Sequence, residues 1–202
     1  QEYRRRTGAW GFEEMGWLWR HLTDRVVQLG RLQYELARLV PDYHLFRERR
    51  GPGVVVLAGE GAGVGGVPLS RTASGWVGER MDPCGRASCE AVTLDRDAWV
   101  ETLRKDGPVA AVHVPEGGEP PGNGPLTEEA CEESLAEAGP FLDRHYPEHA
   151  AAALTCTSWL MDPQLAEYLE PRSNILRFQR RFYLLPVAGG GAEQHFERVF
   201  GR

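Results

Sequence analysis

A few stretches of this sequence carry residue types that do chemistry near neutral pH. His113 stands near the end of a β-branched run, Val109-Ala110-Ala111-Val112-His113-Val114. Open α/β sheets collect ligands beyond the C-terminal ends of their strands. An imidazole there suits a general base that takes a proton from an amine or alcohol. The competing reading is a histidine hydrogen-bonded inside the core. Cys156 and Ser158 lie two residues apart, so on a strand they share one face. A Cys156 thiolate beside His113 would be a nucleophile for a covalent route, whereas a free cysteine in an apolar strand more often serves as a small hydrophobe.

Between this strand and the next helix runs a loop, residues 115–125, with four glycines and four prolines. Main-chain N–H groups at Val114, Gly117, Gly118, Gly122 and Gly124, with the helix start behind them, can cradle a phosphate or pyrophosphate. No Walker Lys-Ser/Thr pair and no dinucleotide glycine fingerprint accompanies them. Glu116, Glu119, Glu128 and Glu129 would repel an anion, so a plain surface loop is the alternative. Arg177, with Arg180 and Arg181 around Phe178 and Phe182, either grips carrier phosphates or forms a solvated helix face. Cys84 and Cys89 are spaced C-x₄-C with no second pair, which is too little for a zinc site, and no metal is assigned. Asp162 before Pro163 reads as a helix cap.

The elements that must position these groups follow from periodicity. Apolar residues at Leu18, Leu22, Val26, Leu29, Leu32, Leu36 and Leu39 step by 3 and 4, which predicts a long amphipathic helix over 16–40. Its outer face would carry Arg20, Asp24, Arg31, Glu35 and Arg38, and Pro41 would stop it. Residues 47–52 read as a linker, 54–58 as a strand, 59–66 as irregular, and 68–90 as loop with a turn at Asp82-Pro83-Cys84-Gly85. A short strand at 91–94 and a helix over 95–103, capped by Asp95, come next. Strand 109–114 is followed by a helix capped by Thr127, with the stripe Cys131, Leu135, Ala138 and Leu142, bent or restarted at Pro140. A strand over 151–157, a helix from Asp162, a helix capped by Ser173 and a last strand over 183–187 complete the series. Strands alternating with helices predict an α/β (α+β) fold, a mixed or largely parallel sheet flanked by helices. Residues 1–50 would be a helical segment and 51–202 the α/β domain.

Composition bounds the function. The chain has 202 residues with 42% hydrophobic and 26% charged, enough for a real core. A net charge of −6 argues against a nucleic-acid partner, whose phosphates would call for a basic surplus. No apolar run reaches the roughly 18–20 residues needed to span a bilayer, and Gln1 to Thr7 has no signal-peptide character. Four cysteines without a secretory signal predict reduced thiols and a cytoplasmic protein.

Several segments, taken in order, resemble one family. They are Leu29-Gly30-Arg31-Leu32-Gln33-Tyr34-Glu35, Val112-His113-Val114-Pro115, Gly124-Pro125-Leu126 leading to Cys131 and Ser134-Leu135, Cys156 to Leu165, and Ser173 to Gln179. The ensemble resembles bacterial acyltransferase domain-containing proteins, which join an N-acyltransferase N-terminal domain to a GNAT-like C-terminal domain. The likeness runs from about residue 16 to residue 200, to the C-terminal domain, so it implies a companion N-terminal domain outside this chain. It further implies a GNAT-like fold and transfer of an acyl group from a thioester carrier, acyl-CoA, to an amine or hydroxyl of a small-molecule acceptor. His113 would be the base, and amides after a splayed strand would polarise the carbonyl. The GNAT pyrophosphate signature, a basic residue before a Gly-x-Gly or Gly-x-Ala turn, is not found, so the alternative is a binding module of the same fold without the carrier site. A thiol enzyme built on Cys156 is a third reading.

Overall fold

The computed structural model describes residues 4–5, 8, 10–11, 15–62, 66–67, 69–115 and 126–187. A short helix α1 (Met15–Leu22) leads into ten strands: β1 (Val26–Leu29), β2 (Leu32–Arg38), β3 (Tyr43–Glu48), β4 (Val54–Ala58), β5 (Ser70–Arg71), β6 (Gly75–Met81), β7 (Ala87–Asp95), β8 (Trp99–Leu103), β9 (Pro108–His113) and, after helix α2 (Glu128–His145), β10 (Leu154–Thr155). Helices α3 (Leu165–Tyr168) and α4 (Asn174–Gln179) close the described chain.

The strands form two sheets. The first has the order β1-β2-β9-β10; the second has the order β5-β6-β4-β3-β8, with β7 also paired to β6. β2 and β9 pair antiparallel from Arg38↔Pro108 to Gln33↔His113, as hairpin partners would, although the second sheet lies between them in sequence. β9, α2 and β10 form a strand–helix–strand unit whose strands run parallel, the connection that such pairing requires. The expected mixed α/β fold is present, but every other named strand pair is antiparallel rather than largely parallel.

The long helix over 16–40 is corrected. Only Met15–Leu22 is helical, and residues 26–38 are the β1–β2 hairpin. Leu29 pairs with Leu32 around a two-residue turn whose first residue, Gly30, has φ +54°, the glycine-first pattern of a type II′ turn. Glycine within a helix costs about 1 kcal/mol relative to alanine, whereas at this turn it is the favoured residue. In β2 it is Leu32 and Tyr34, two apart, that are fully buried, so the period there is 2 and the steps of 3 and 4 are a coincidence of spacing.

Two further expectations are corrected. Asp95 does not cap a helix: its Oδ1 accepts from the Asp97 N–H at 2.7 Å in a turn, and Trp99–Leu103 is a strand. Residues 68–90 are not loop, because β5, β6 and the start of β7 occupy them, and β3 reaches into the expected linker. Residues on both sides of position 50 thus share both sheets. The turn at Asp82 is present, with Oδ1 accepting from the Cys84 and Arg86 N–H groups at 2.8 Å. The last expected strand reduces to one bridge, Leu184 to Cys84.

The main core lies between the first sheet and α2. Leu32, Tyr34 and Val112 meet Cys131 and Ala138, with Leu160 and Phe178 closing the end. Thr127 caps α2 by accepting from the Ala130 N–H at 3.4 Å, and the helix runs through Pro140 without restarting. Leu39, Leu103 and Val109 join the two sheets. Residues 183–187 lie across the second sheet: the Tyr43 hydroxyl donates to Pro186 O at 2.6 Å, and the Tyr183 hydroxyl donates to Met81 O.

Candidate active site

The site is built at the C-terminal end of β9. On one side β9 pairs with β2 along its whole length. On the other side β10 matches only Ala110 and Ala111, and that pairing ends at Ala111↔Thr155. After Thr155 the chain turns away into the short turn Trp159–Met161, where Ser158 Oγ accepts from the Leu160 N–H at 3.3 Å. The Ala110 N–H donates to Ala153 O at 3.0 Å, toward β10. Strand alternation sends the amides of Val112 and Val114 to the same side. The Val112 N–H closes the ladder on Thr155 O, as the Ala111↔Thr155 bridge requires, so the Val114 amide is the first to stand past its end.

His113 occupies this end of the strand. Its Nε2 lies 3.1 Å from Glu35 Oε2, on the diagonal between neighbouring strands. The same carboxylate oxygen accepts from Arg20 at 3.2 Å. Trp17 of α1 stands edge-on to the imidazole, with centroids 4.7 Å apart. The His113 side chain is 34% exposed and that of Glu35 is 13% exposed. The imidazole is thus held from two sides yet open to a reactant, and it is not sealed in the hydrocarbon core.

A mostly apolar cavity of about 600 Å³ reaches β9 at Ala111, two residues back along the strand from His113. Ala111, on the same face of β9 as His113, forms part of its wall, with Thr155 and Cys156 from the β10 side. Leu45 and Leu103 of the second sheet and Leu185 of the crossing segment line it too. Burial pushes the Cys156 thiol up to about 12, so it stays protonated near neutral pH and is poorly suited to act as a nucleophile. Ser158 spends its oxygen on the turn that it caps. Of the three expected catalytic residues, His113 has the setting of a base, Cys156 that of a wall, and Ser158 that of a cap.

Of the residues expected to bind a carrier, Val114 follows the open strand end, whereas Gly117, Gly118, Gly122 and Gly124 lie outside the described residues. Arg177 reaches the first turn of α2, where it donates to Glu128 at 2.5 Å; Arg181 stands 3.6 Å from the same carboxylate. That pairing offsets part of the negative charge placed at the helix start. Sequence reading missed Arg31, placing it on a solvated helix face. It is only 7% exposed and donates to Pro115 O at 2.9 Å, while its Nε is buried with no hydrogen-bond partner among the described residues. Its charge also favours ionisation of Cys131 in the first turn of α2, against the larger effect of burial, which raises that thiol. A cation beside the strand–loop–helix unit therefore comes from the β1–β2 turn and not from the loop itself. Glu35 was missed for the same reason, since a helix over 16–40 would have turned it to solvent. The clue in both cases was Gly30.

Among the described residues no group of His, Cys, Asp or Glu could hold a metal, and no helix is long and apolar enough to cross a membrane. No curated protein is significantly similar to the chain. Solved structures are. An acyltransferase in complex with decanoyl-CoA and teicoplanin superposes with a TM-score of 0.56 at 28% identity, covering 99% of this chain and 42% of that one. An acyltransferase in complex with decanoyl-CoA gives 0.55 at 29%, covering 99% and 41%. An acyltransferase mutant with octanoyl-CoA gives 0.56 at 27%, covering 99% and 42%. The chain thus spans less than half the length of the solved chains it matches. A family profile described as GNAT-like C-terminal domain matches residues 26–202, and with the strand–helix–strand unit and its open strand end this places the chain in that family.

Proposed function

We propose that this chain carries the donor site and the base of an acyl-CoA-dependent acyltransferase acting on an amine or hydroxyl of a small molecule. The observation that carries this reading is the end of the β9–β10 pairing at Ala111↔Thr155, with His113 at the same strand end. The pantetheine arm of acyl-CoA takes the place of the strand partner missing beyond Thr155 and meets the Val114 amide. The phosphates lie toward Arg31 and the first turn of α2. The acyl tail enters the apolar cavity past Ala111. The similar acyltransferases were solved with decanoyl-CoA and octanoyl-CoA, which supports an acyl-CoA as the donor.

The reaction is direct attack. The acceptor nitrogen or oxygen bonds to the thioester carbon while His113 takes its proton. The carbonyl oxygen becomes an oxyanion held by main-chain N–H groups. The C–S bond then breaks, and the CoA thiolate leaves with a proton returned by the imidazolium. No acyl-cysteine is needed, in keeping with the raised Cys156 thiol. The free thiols of Cys84, Cys131 and Cys156 fit a reducing, cytoplasmic setting.

Calorimetry with CoA, acetyl-CoA and decanoyl-CoA tests the donor site. Binding of CoA that tightens as the acyl chain lengthens is expected, and no binding of any of the three removes the reading. Where turnover is measured with an amine acceptor, His113→Ala lowers kcat by about 100-fold or more.

A further inference from the structure

We infer that Glu35 is the positioning residue of His113: it holds the imidazole with its proton on Nε2 and leaves Nδ1 free to accept the proton of the attacking group. The inference rests on the reading of His113 as base and extends it to a second residue.

The geometry carries it. Glu35 sits on the central strand β2, in register with Ala111 and diagonal to His113. Its Oε2 lies 3.1 Å from His113 Nε2, and its side chain is largely buried. A carboxylate only accepts hydrogen bonds, so the nitrogen facing it must be the protonated one. In a neutral imidazole the other nitrogen, Nδ1, then carries the lone pair. Arg20 reaches the same oxygen at 3.2 Å from α1, and Trp17 of that helix packs its ring edge-on to the imidazole. The carboxylate is thus tethered by a guanidinium, and the imidazole is confined between a carboxylate and an indole. When the imidazole becomes cationic during the reaction, Glu35 faces the new charge at hydrogen-bond distance, which stabilises it. This is the division of labour in which one group transfers the proton and a carboxylate fixes the tautomer of that group.

The test compares the wild-type chain with Glu35→Gln and Glu35→Asp. Long-range ¹H–¹⁵N spectra read which ring nitrogen of His113 carries the proton, and steady-state turnover with acyl-CoA and an amine reads function. The expected result is an Nε2–H tautomer in the wild type and a shifted or mixed tautomer in Glu35→Gln. With it comes a fall in kcat of about 10- to 100-fold, with KM for acyl-CoA held within about twofold. Glu35→Asp keeps a carboxylate and recovers part of the loss. An unchanged tautomer in Glu35→Gln overturns the inference, as does a loss confined to KM. The tautomer readout needs no turnover, so it stands apart from the donor-site reading. Full activity in His113→Ala would overturn both.

Discussion

The Tyr34 hydroxyl donates to Ser134 Oγ at 2.9 Å, deep in the core between β2 and α2. The direction is fixed because Ser134 spends its single proton on Leu29 O at 2.5 Å. Two strands and a helix are fastened through one hydroxyl. Burial raises the Tyr34 phenol above its ordinary value, with the Ser134 bond opposing the rise, so the group stays neutral across the physiological range.

Ser134→Ala should therefore lower stability by about 1–3 kcal/mol, since it leaves the buried Tyr34 hydroxyl and Leu29 carbonyl without this partner. Urea unfolding would show the midpoint falling with an unchanged slope. A loss below about 0.5 kcal/mol would mean that water replaces the hydroxyl.

Gly75 opens β6 against the end of β7, where an added Cβ would stand 1.9 Å from the Leu94 carbonyl oxygen. Backbone cannot swing aside as a side chain can. Gly75→Ala should then cost about 1–3 kcal/mol or more by overpacking. Gly139→Ala in α2, which meets nothing within 4 Å, should be neutral or stabilising by up to about 1 kcal/mol. Thermal unfolding of the two variants separates them, and equal effects would contradict this packing.

The same glycines explain what could and could not be read from sequence. β9, α2 and its Thr127 cap, and the Ser173 cap were legible because each is local: a β-branched run, an apolar stripe and a hydroxyl at the right offset. The position of His113 at a strand end was legible as well. The β1–β2 hairpin was hidden because Leu29, Leu32, Leu36 and Leu39 also fit a helical period, and only the turn at Gly30 decides between them. Gly75 and Gly78 likewise made β6 look like loop, although they are what lets it lie against Leu94 and Leu69. Glu35 and Arg31 came beside His113 and Pro115 only when β2 lay down along β9, a long-range pairing that no local pattern encodes.

Cys156 and Cys84 should differ sharply toward alkylating reagents. Cys84 is exposed, whereas burial holds the Cys156 thiol at about 12. At pH 8 Cys156 should react at least about 100-fold more slowly, as thiolate fraction and access both fall. The linkage has a definite sign. Below pH 9 the thiol is neutral in both folded and unfolded chains and full stability is present. Above pH 9 the unfolded chain loses the proton first, so stability falls as pH climbs toward about 12. Peptide mass spectrometry after brief iodoacetamide treatment reads the rates, and equal labelling would show an ionised Cys156.

Ala111 decides whether the cavity serves the acyl tail. It lies in the cavity wall, on the face of β9 shared with His113 and opposite Glu35. A larger side chain there points into the space and leaves the β2–β9 ladder unchanged. Ala111→Leu should weaken decanoyl-CoA by about 10-fold or more, the scale set when a pocket must reject a few methylenes. CoA itself, with no tail to accommodate, should bind within about twofold of wild type. The preference for long over short acyl chains would then shrink or invert. Calorimetry across acetyl-, octanoyl- and decanoyl-CoA measures this directly. A uniform loss across all three would place the tail elsewhere and leave the cavity a packing defect between the two sheets.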